Sequence, residues 1–114
     1  MSLTLKPRQS GDVTILDASG RITLGEGSSA FRDTVKQLVT AGNKKILVNL
    51  ADVSYIDSSG IGELVSAFTS VSNVGGAMKL LKLTNRVRDL LKITELYRLF
   101  EVYDDEATAV ASFP

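Results

Sequence analysis

The sequence predicts an α/β fold: a mixed, mainly parallel sheet of four to five strands with helices packed against it. Three observations predict it. Two strand-like runs open the chain on either side of Ser10-Gly11-Asp12. After them, runs with helical spacing alternate with short strand-like runs to the end. Lys45-Ile46-Leu47-Val48-Asn49-Leu50 is apolar on both faces, which suits a central strand covered on both sides. Alternation of this kind implies right-handed crossovers between parallel neighbours. The opening hairpin makes the sheet mixed, and helices should cover one face more fully than the other.

In the first strand pair, Val13, Ile15 and Asp17 alternate with Thr14, Leu16 and Ala18. Leu3 to Arg8 is the partner strand, because Ser10-Gly11-Asp12 supplies turn chemistry between them. The second strand is expected to run on through Gly20-Arg21-Ile22. Gly25-Glu26-Gly27-Ser28-Ser29 then breaks the pattern, and Ser28 or Ser29 can cap a helix with Phe31, Val35, Leu38 and Val39 on one face. Gly42-Asn43 suits a left-handed cap at its end.

After the central strand and Ala51 to Ile56, a second helix carries Ile61, Leu64, Val65 and Phe68. Asn73-Val74-Gly75-Gly76 stops it, and Met78 to Leu83 reads as a strand. Thr84 or Asn85 caps a third helix with Val87, Leu90 and Leu91. Leu99 to Tyr103 is expected as an edge strand. Asp104-Asp105-Glu106 opens a short last helix, where acidic residues suit the positive end of the macrodipole. Neither Pro7 nor Pro114 is placed in the interior of an element.

Composition excludes more than it assigns. A chain of 114 residues, 44% hydrophobic, has material for one core, and residues 1–114 are expected to form one domain. Thirteen basic residues balance thirteen acidic ones, so the broad basic field of a non-specific nucleic-acid binder is missing. There is no cysteine and no histidine. Disulfides, thiolate metal sites, the commonest general base and every Ser-His-Asp hydrolase go with them. A Ser-Lys or all-carboxylate site would remain, and no spacing gathers such groups, so an enzyme is not expected. No cofactor is expected either.

No run approaches the ~20 apolar residues of a membrane span, and Met1-Ser2-Leu3-Thr4-Leu5-Lys6 lacks the layout of a signal peptide. The expectation is a cytoplasmic protein without direct membrane contact. It should be a monomer or weak dimer, since an exposed first strand could pair with another copy.

The functional signal lies in Val48-Asn49-Leu50-Ala51-Asp52-Val53-Ser54-Tyr55-Ile56-Asp57-Ser58-Ser59-Gly60-Ile61-Gly62. A buried strand leads into Asp-Ser-Ser-Gly, where a helix begins. A serine at a helix N-cap keeps its hydroxyl near the surface. Gly60 and Gly62 put no bulky side chain on the first turn, although glycine costs roughly 1 kcal/mol there relative to alanine. Two in one turn suggest that close approach of another protein matters more than helix stability. Asp-Ser-Ser before a helix is also what a plain cap looks like. Ser59 reads as the helix-stabilising residue of the two serines, but sequence alone does not separate them.

Over these fifteen residues the chain resembles the STAS domain family, which joins sulfate transporters and anti-sigma factor antagonists. Weaker agreement covers nearly the whole chain, and a free-standing domain of this length resembles the antagonists more than the transporter tails. The resemblance implies a partner switch. In that family the first serine of the run, here Ser58, is phosphorylated by a partner that is both anti-sigma factor and serine kinase. The unphosphorylated protein binds that partner and releases a sigma factor. A metal-dependent serine/threonine phosphatase acting on the phosphorylated form restores binding. ATP and magnesium belong to the kinase. The implied partner surface comprises Thr23, Asp57, Ser58, Ser59, Gly60, Ile61 and Gly62. The alternative is a STAS subunit clamped to the ATPase of a lipid-transport ABC system, with no phosphorylation cycle.

One segment departs from the family. Antagonists commonly carry an acidic residue after the second strand's glycine and an Asp two positions later, where this chain has Arg21 and Thr23. That loop is expected near Ser58 at the same end of the sheet. Arg21 reads as a solvated arginine, or as a group able to pair with a phosphate on Ser58. Gly25-Glu26-Gly27-Ser28-Ser29 lacks the Gly-Lys-Ser/Thr ending of a phosphate loop and reads as a flexible connection. Lys44, Lys45, Arg86, Arg88, Lys92 and Arg98 read as solvated charges. Tyr55, Tyr97 and Tyr103 are too dispersed for a base-stacking platform.

Overall fold

A two-residue turn sets the register of the first hairpin. In the computed structural model, which describes residues 3–114, β1 (Leu3–Ser10) and β2 (Val13–Ile22) pair antiparallel with Ser10 opposite Val13. Gly11 takes φ 61 at the first turn position. That conformation is natural to glycine and its twist matches the flanking strands. Met1 and Ser2, the start of the segment read above for a leader, lie outside the described residues. Pro7 sits inside β1, contrary to expectation. It is tolerated because β1 is an edge strand with no ladder partner on one side.

From β2 the chain crosses over three times. β3 (Lys45–Ile56), β4 (Ala77–Leu81) and β5 (Val102–Tyr103) each join their predecessor in parallel, giving the order β1-β2-β3-β4-β5. α1 (Glu26–Thr40), α2 (Ser58–Asn73) and α3 (Asn85–Ile93) fill the crossovers, and α4 (Glu106–Ala111) ends the fold. The mixed, mainly parallel sheet with helices against it is therefore present.

Strand alternation divides the core in two. Leu16, Val48 and Leu80 pack with Phe31, Val35, Ile61, Leu64, Val87 and Leu91 from α1, α2 and α3. Ile15, Leu47 and Leu81 point the other way and form a smaller buried cluster with Val13 and with Ala109 of α4, against which Tyr103, Val110 and Phe113 pack. At roughly 25 cal/mol per Å² of apolar area, the larger face dominates the stabilisation.

Four local expectations are corrected. α1 begins at Glu26 with Gly25 as N-cap and no side-chain cap, so neither Ser28 nor Ser29 caps it. The helix starts early because its first turn is pressed against the end of β2. A Cβ on Gly27 would lie 2.6 Å from the Arg21 carbonyl oxygen, and the Ser28 amide bonds to the Thr23 carbonyl at 2.9 Å. β3 extends past Leu50 to Ile56, with register shifts opposite Asp17/Ser19 and Gly20/Arg21. Each bulge adds one residue to β3, so Leu50, Val53 and Ile56, three apart in sequence, are all buried. The Asn49 side chain serves the first bulge. It accepts from the Ala51 amide at 3.1 Å and donates to Asp17 at 2.9 Å.

The strand read to Leu83 stops at Leu81, because Lys82 adopts a left-handed φ of 56. The last strand shrinks to Val102–Tyr103, since Leu96–Arg98 forms a 3-10 turn that delivers Phe100 to the core. Thr84 caps α3 and Asp105 caps α4.

Candidate partner-docking site

The last rungs of β2 and β3 place the site. Ile22 pairs with Ile56, and the Asp57 amide then donates to the Ile22 carbonyl at 3.4 Å. From there Asp57, not Ser58, is the N-cap of α2. Its Oδ1 accepts from the Gly60 amide at 2.9 Å, and its Oδ2 accepts from the Leu24 amide at 3.0 Å. Burial works against its charge, but amides from Leu24, Gly60 and Ser59 outweigh this and hold the carboxyl below its usual range. One carboxylate thus caps α2 and ties down the loop after β2.

The two serines take different places. Ser58, the first helical residue, is exposed, and its hydroxyl makes no hydrogen bond among the described residues. Ser59 is half-buried, with its hydroxyl 3.3 Å from that of Ser28. Ser28 in turn donates to the Thr23 carbonyl at 2.9 Å. Ser59 therefore belongs to the packing between α1 and α2, whereas Ser58 is presented.

The glycines also separate. Gly60 is buried, and a Cβ there would come within 2.2 Å of the Ile22 carbonyl oxygen. Its smallness serves the contact of α2 with β2 and not, as read from sequence, the approach of another protein. Gly62 is exposed with open space at its Cβ position. Ile61 is 3% exposed and packs in the core, so its side chain is absent from the outer surface. Thr23 is half-buried, contributing chiefly its carbonyl.

Leu24 is a further residue of this surface, outside the motif residues. It is 79% exposed, beside the cap that its own amide helps to fix. The available signal was an apolar residue belonging to neither the preceding strand pattern nor the following helical one. Arg21 does lie at this end of the sheet, but its guanidinium sits 4.9 Å from the Tyr55 ring centroid. Among the described residues, no three His, Cys, Asp or Glu side chains gather as a metal site, and no helix is long and apolar enough to cross a membrane.

This cap-and-loop arrangement follows the motif across residues 48–62, and the family model described as the STAS domain matches residues 4–109. The chain belongs to the STAS domain family. A Thermotoga neapolitana relative, provisionally named an anti-sigma factor antagonist, is 36% identical over 100 residues, 87% of this chain and 88% of the relative. The anti-sigma-B factor antagonist of Bacillus subtilis is 28% identical over 102 residues, 90% of this chain and 92% of its own. A crystal structure of a Thermotoga maritima protein, also provisionally named an anti-sigma factor antagonist, superposes with TM-score 0.88 at 28% identity. It covers 96% of this STAS domain and 93% of that chain. The five-stranded sheet with its four helices is the fold shared with that structure.

Proposed function

We propose that this STAS domain is an anti-sigma factor antagonist, a binding protein and not an enzyme, switched by phosphorylation of Ser58. Unphosphorylated, it docks the start of α2 and the loop after β2 on an anti-sigma factor that is also a serine kinase, and the sigma factor is released. A serine/threonine phosphatase resets it. The observation that carries this reading is the contrast at the helix start: Ser58 is exposed and, among the described residues, unengaged, while Asp57 and Ser59 on either side are tied into the fold.

The physical consequences agree with such a switch. A phosphate on Ser58 adds about −1.5 to −2 charges. The positive end of α2 favours that charge and Asp57 opposes it, so phosphorylation leaves the domain folded. In a dry interface the same charge, unpaired, costs several kcal/mol. Exposed Leu24 supplies an apolar anchor beside the switch. Pro7 in the middle of β1 lacks an N–H, which discourages edge pairing and favours a monomer.

The test is to recover binding partners from the native extract, identify them, and map phosphate by mass spectrometry. The expected result is a kinase-type ATPase that releases the protein on adding ATP, retains Ser58→Ala and loses Ser58→Asp. An equally tight complex with Ser58→Asp would overturn the switch.

A further inference from the structure

Tyr55 carries two guanidinium groups. Arg21 lies 4.9 Å and Arg86 4.3 Å from its ring centroid. Three elements meet there, because Arg21 is Tyr55's partner in the β2–β3 register and Arg86 stands in the first turn of α3. Both arginines are exposed, and among the described residues neither has an ion pair or a side-chain hydrogen bond. Arg8 and Arg32, by contrast, are matched to carboxylates of this chain.

Such a pair is electrostatically unfavourable in the isolated protein. Two cations on one ring lie within about a Debye length of each other, roughly 10 Å at 0.1 M salt. Arg86 also stands at the positive end of α3, where the macrodipole disfavours it. The tyrosine face offsets part of this by cation–π attraction. Tyr55 precedes Ser58 by three residues, so their Cα atoms are at most about 11 Å apart. The stack therefore borders the docking site.

We infer that the Arg21–Tyr55–Arg86 stack is a second contact of that site, receiving a carboxylate-bearing patch on the partner protein. Guanidinium forks match carboxylates in bidentate fashion, and stacking holds them oriented beforehand. The chain's net charge of zero favours an acidic protein over nucleic acid, whose binding draws on a broad basic field. The partner's identity rests on the antagonist reading above; the chemistry of the stack does not.

Two measurements test it. First, the isotopically labelled protein is titrated with a hexaglutamate peptide, and the arginine Nε–Hε resonances are followed. Those of Arg21 and Arg86 should shift saturably at peptide concentrations several-fold below those moving Arg88 and Arg98. Uniform movement of all arginines would overturn the inference. So would tighter binding of a thymidine hexanucleotide, or the same shifts produced by phosphorylating Ser58 alone, which would assign the stack to the chain's own phosphate. Second, the dissociation constant for the anti-sigma kinase is compared between wild type, Arg21→Glu/Arg86→Glu and the control Lys36→Glu/Lys44→Glu, at low and high salt. The arginine pair should weaken binding at least tenfold and flatten its salt dependence, with the control unchanged. Loss of binding with Ser58→Asp but not with the arginine pair sinks the stack and leaves the switch. Loss of binding with the arginine pair but not with Ser58→Asp sinks the switch and leaves the stack, and indifference to both variants sinks both.

Discussion

Asp57 holds the Leu24 amide at 3.0 Å with one carboxylate oxygen while the other caps α2 through the Gly60 amide at 2.9 Å. Alanine at this position should remove both bonds, destabilising the protein by about 1–2 kcal/mol, at the upper end of a lost N-cap. Asparagine has one acceptor oxygen for two donors, so Asp57→Asn should fall between. Urea unfolding gives the stabilities. Amide exchange should show Leu24 losing protection in Asp57→Ala, and unchanged protection would contradict the tie.

Gly60 and Gly62 should respond in opposite directions. Gly60→Ala drives a methyl into the Ile22 carbonyl, with 2.2 Å between Cβ and oxygen. Neither backbone can yield cheaply, so a loss of about 2–3 kcal/mol is expected, in the upper range of overpacked cores. Gly62→Ala meets open space and should gain up to about 1 kcal/mol from helix propensity. Thermal melts of the two variants check the contrast, and a destabilised Gly62→Ala would break it.

Lys79 is the buried cation of the smaller core. It is 6% exposed, and its Nζ lies 3.0 Å from both the carbonyl and the hydroxyl of Ser112. The Phe113 ring lies 4.9 Å from the same nitrogen. Lys79→Met should therefore loosen α4 more than the rest of the fold, costing about 1.5–3 kcal/mol for a charged hydrogen-bonding group. Hydrogen exchange localised to residues 105–113 is the readout. Uniform loss across the sheet would argue against it.

Arg8 bridges Asp17 at 2.6 Å and Glu106 at 2.6 Å, joining β1, β2 and α4. Its hydrogen bonds hold both carboxyls below their usual ranges, against opposing burial. Groups whose folded pKa is depressed contribute stability above their unfolded values, near 4, and lose it as pH falls through the folded ones. Stability should thus decline below about pH 4, and Arg8→Ala should flatten that decline. All three side chains are more than a third exposed, so salt should weaken the effect. An unchanged acid limb in Arg8→Ala would remove the network from the account.

The order of elements was legible in the sequence because period-two and helical patterns report directly which side chains are buried. The motif at Asp57-Ser58-Ser59-Gly60 was legible because its residue types are tied to a helix start. Beyond those patterns, contacts between distant segments decided the details. β3 past Leu50 was hidden because two bulges turn a period of two into a spacing of three, a pattern with no local strand signature. Helical spacing around Phe31 could not show that α1 starts at Glu26, which depends on Gly27 fitting beneath the Arg21 carbonyl. The residue patterns alone set out the sheet, the order of its helices and the position of the helix-start motif. The roles of Asp57 as cap, Ser59 as packing residue and Ser58 as the exposed one emerge from the folded arrangement. Asp57 finds its capping partner locally in Gly60, but the groups that tie down its second oxygen and engage Ser59, Leu24 and Ser28, lie 33 and 31 residues away in the chain.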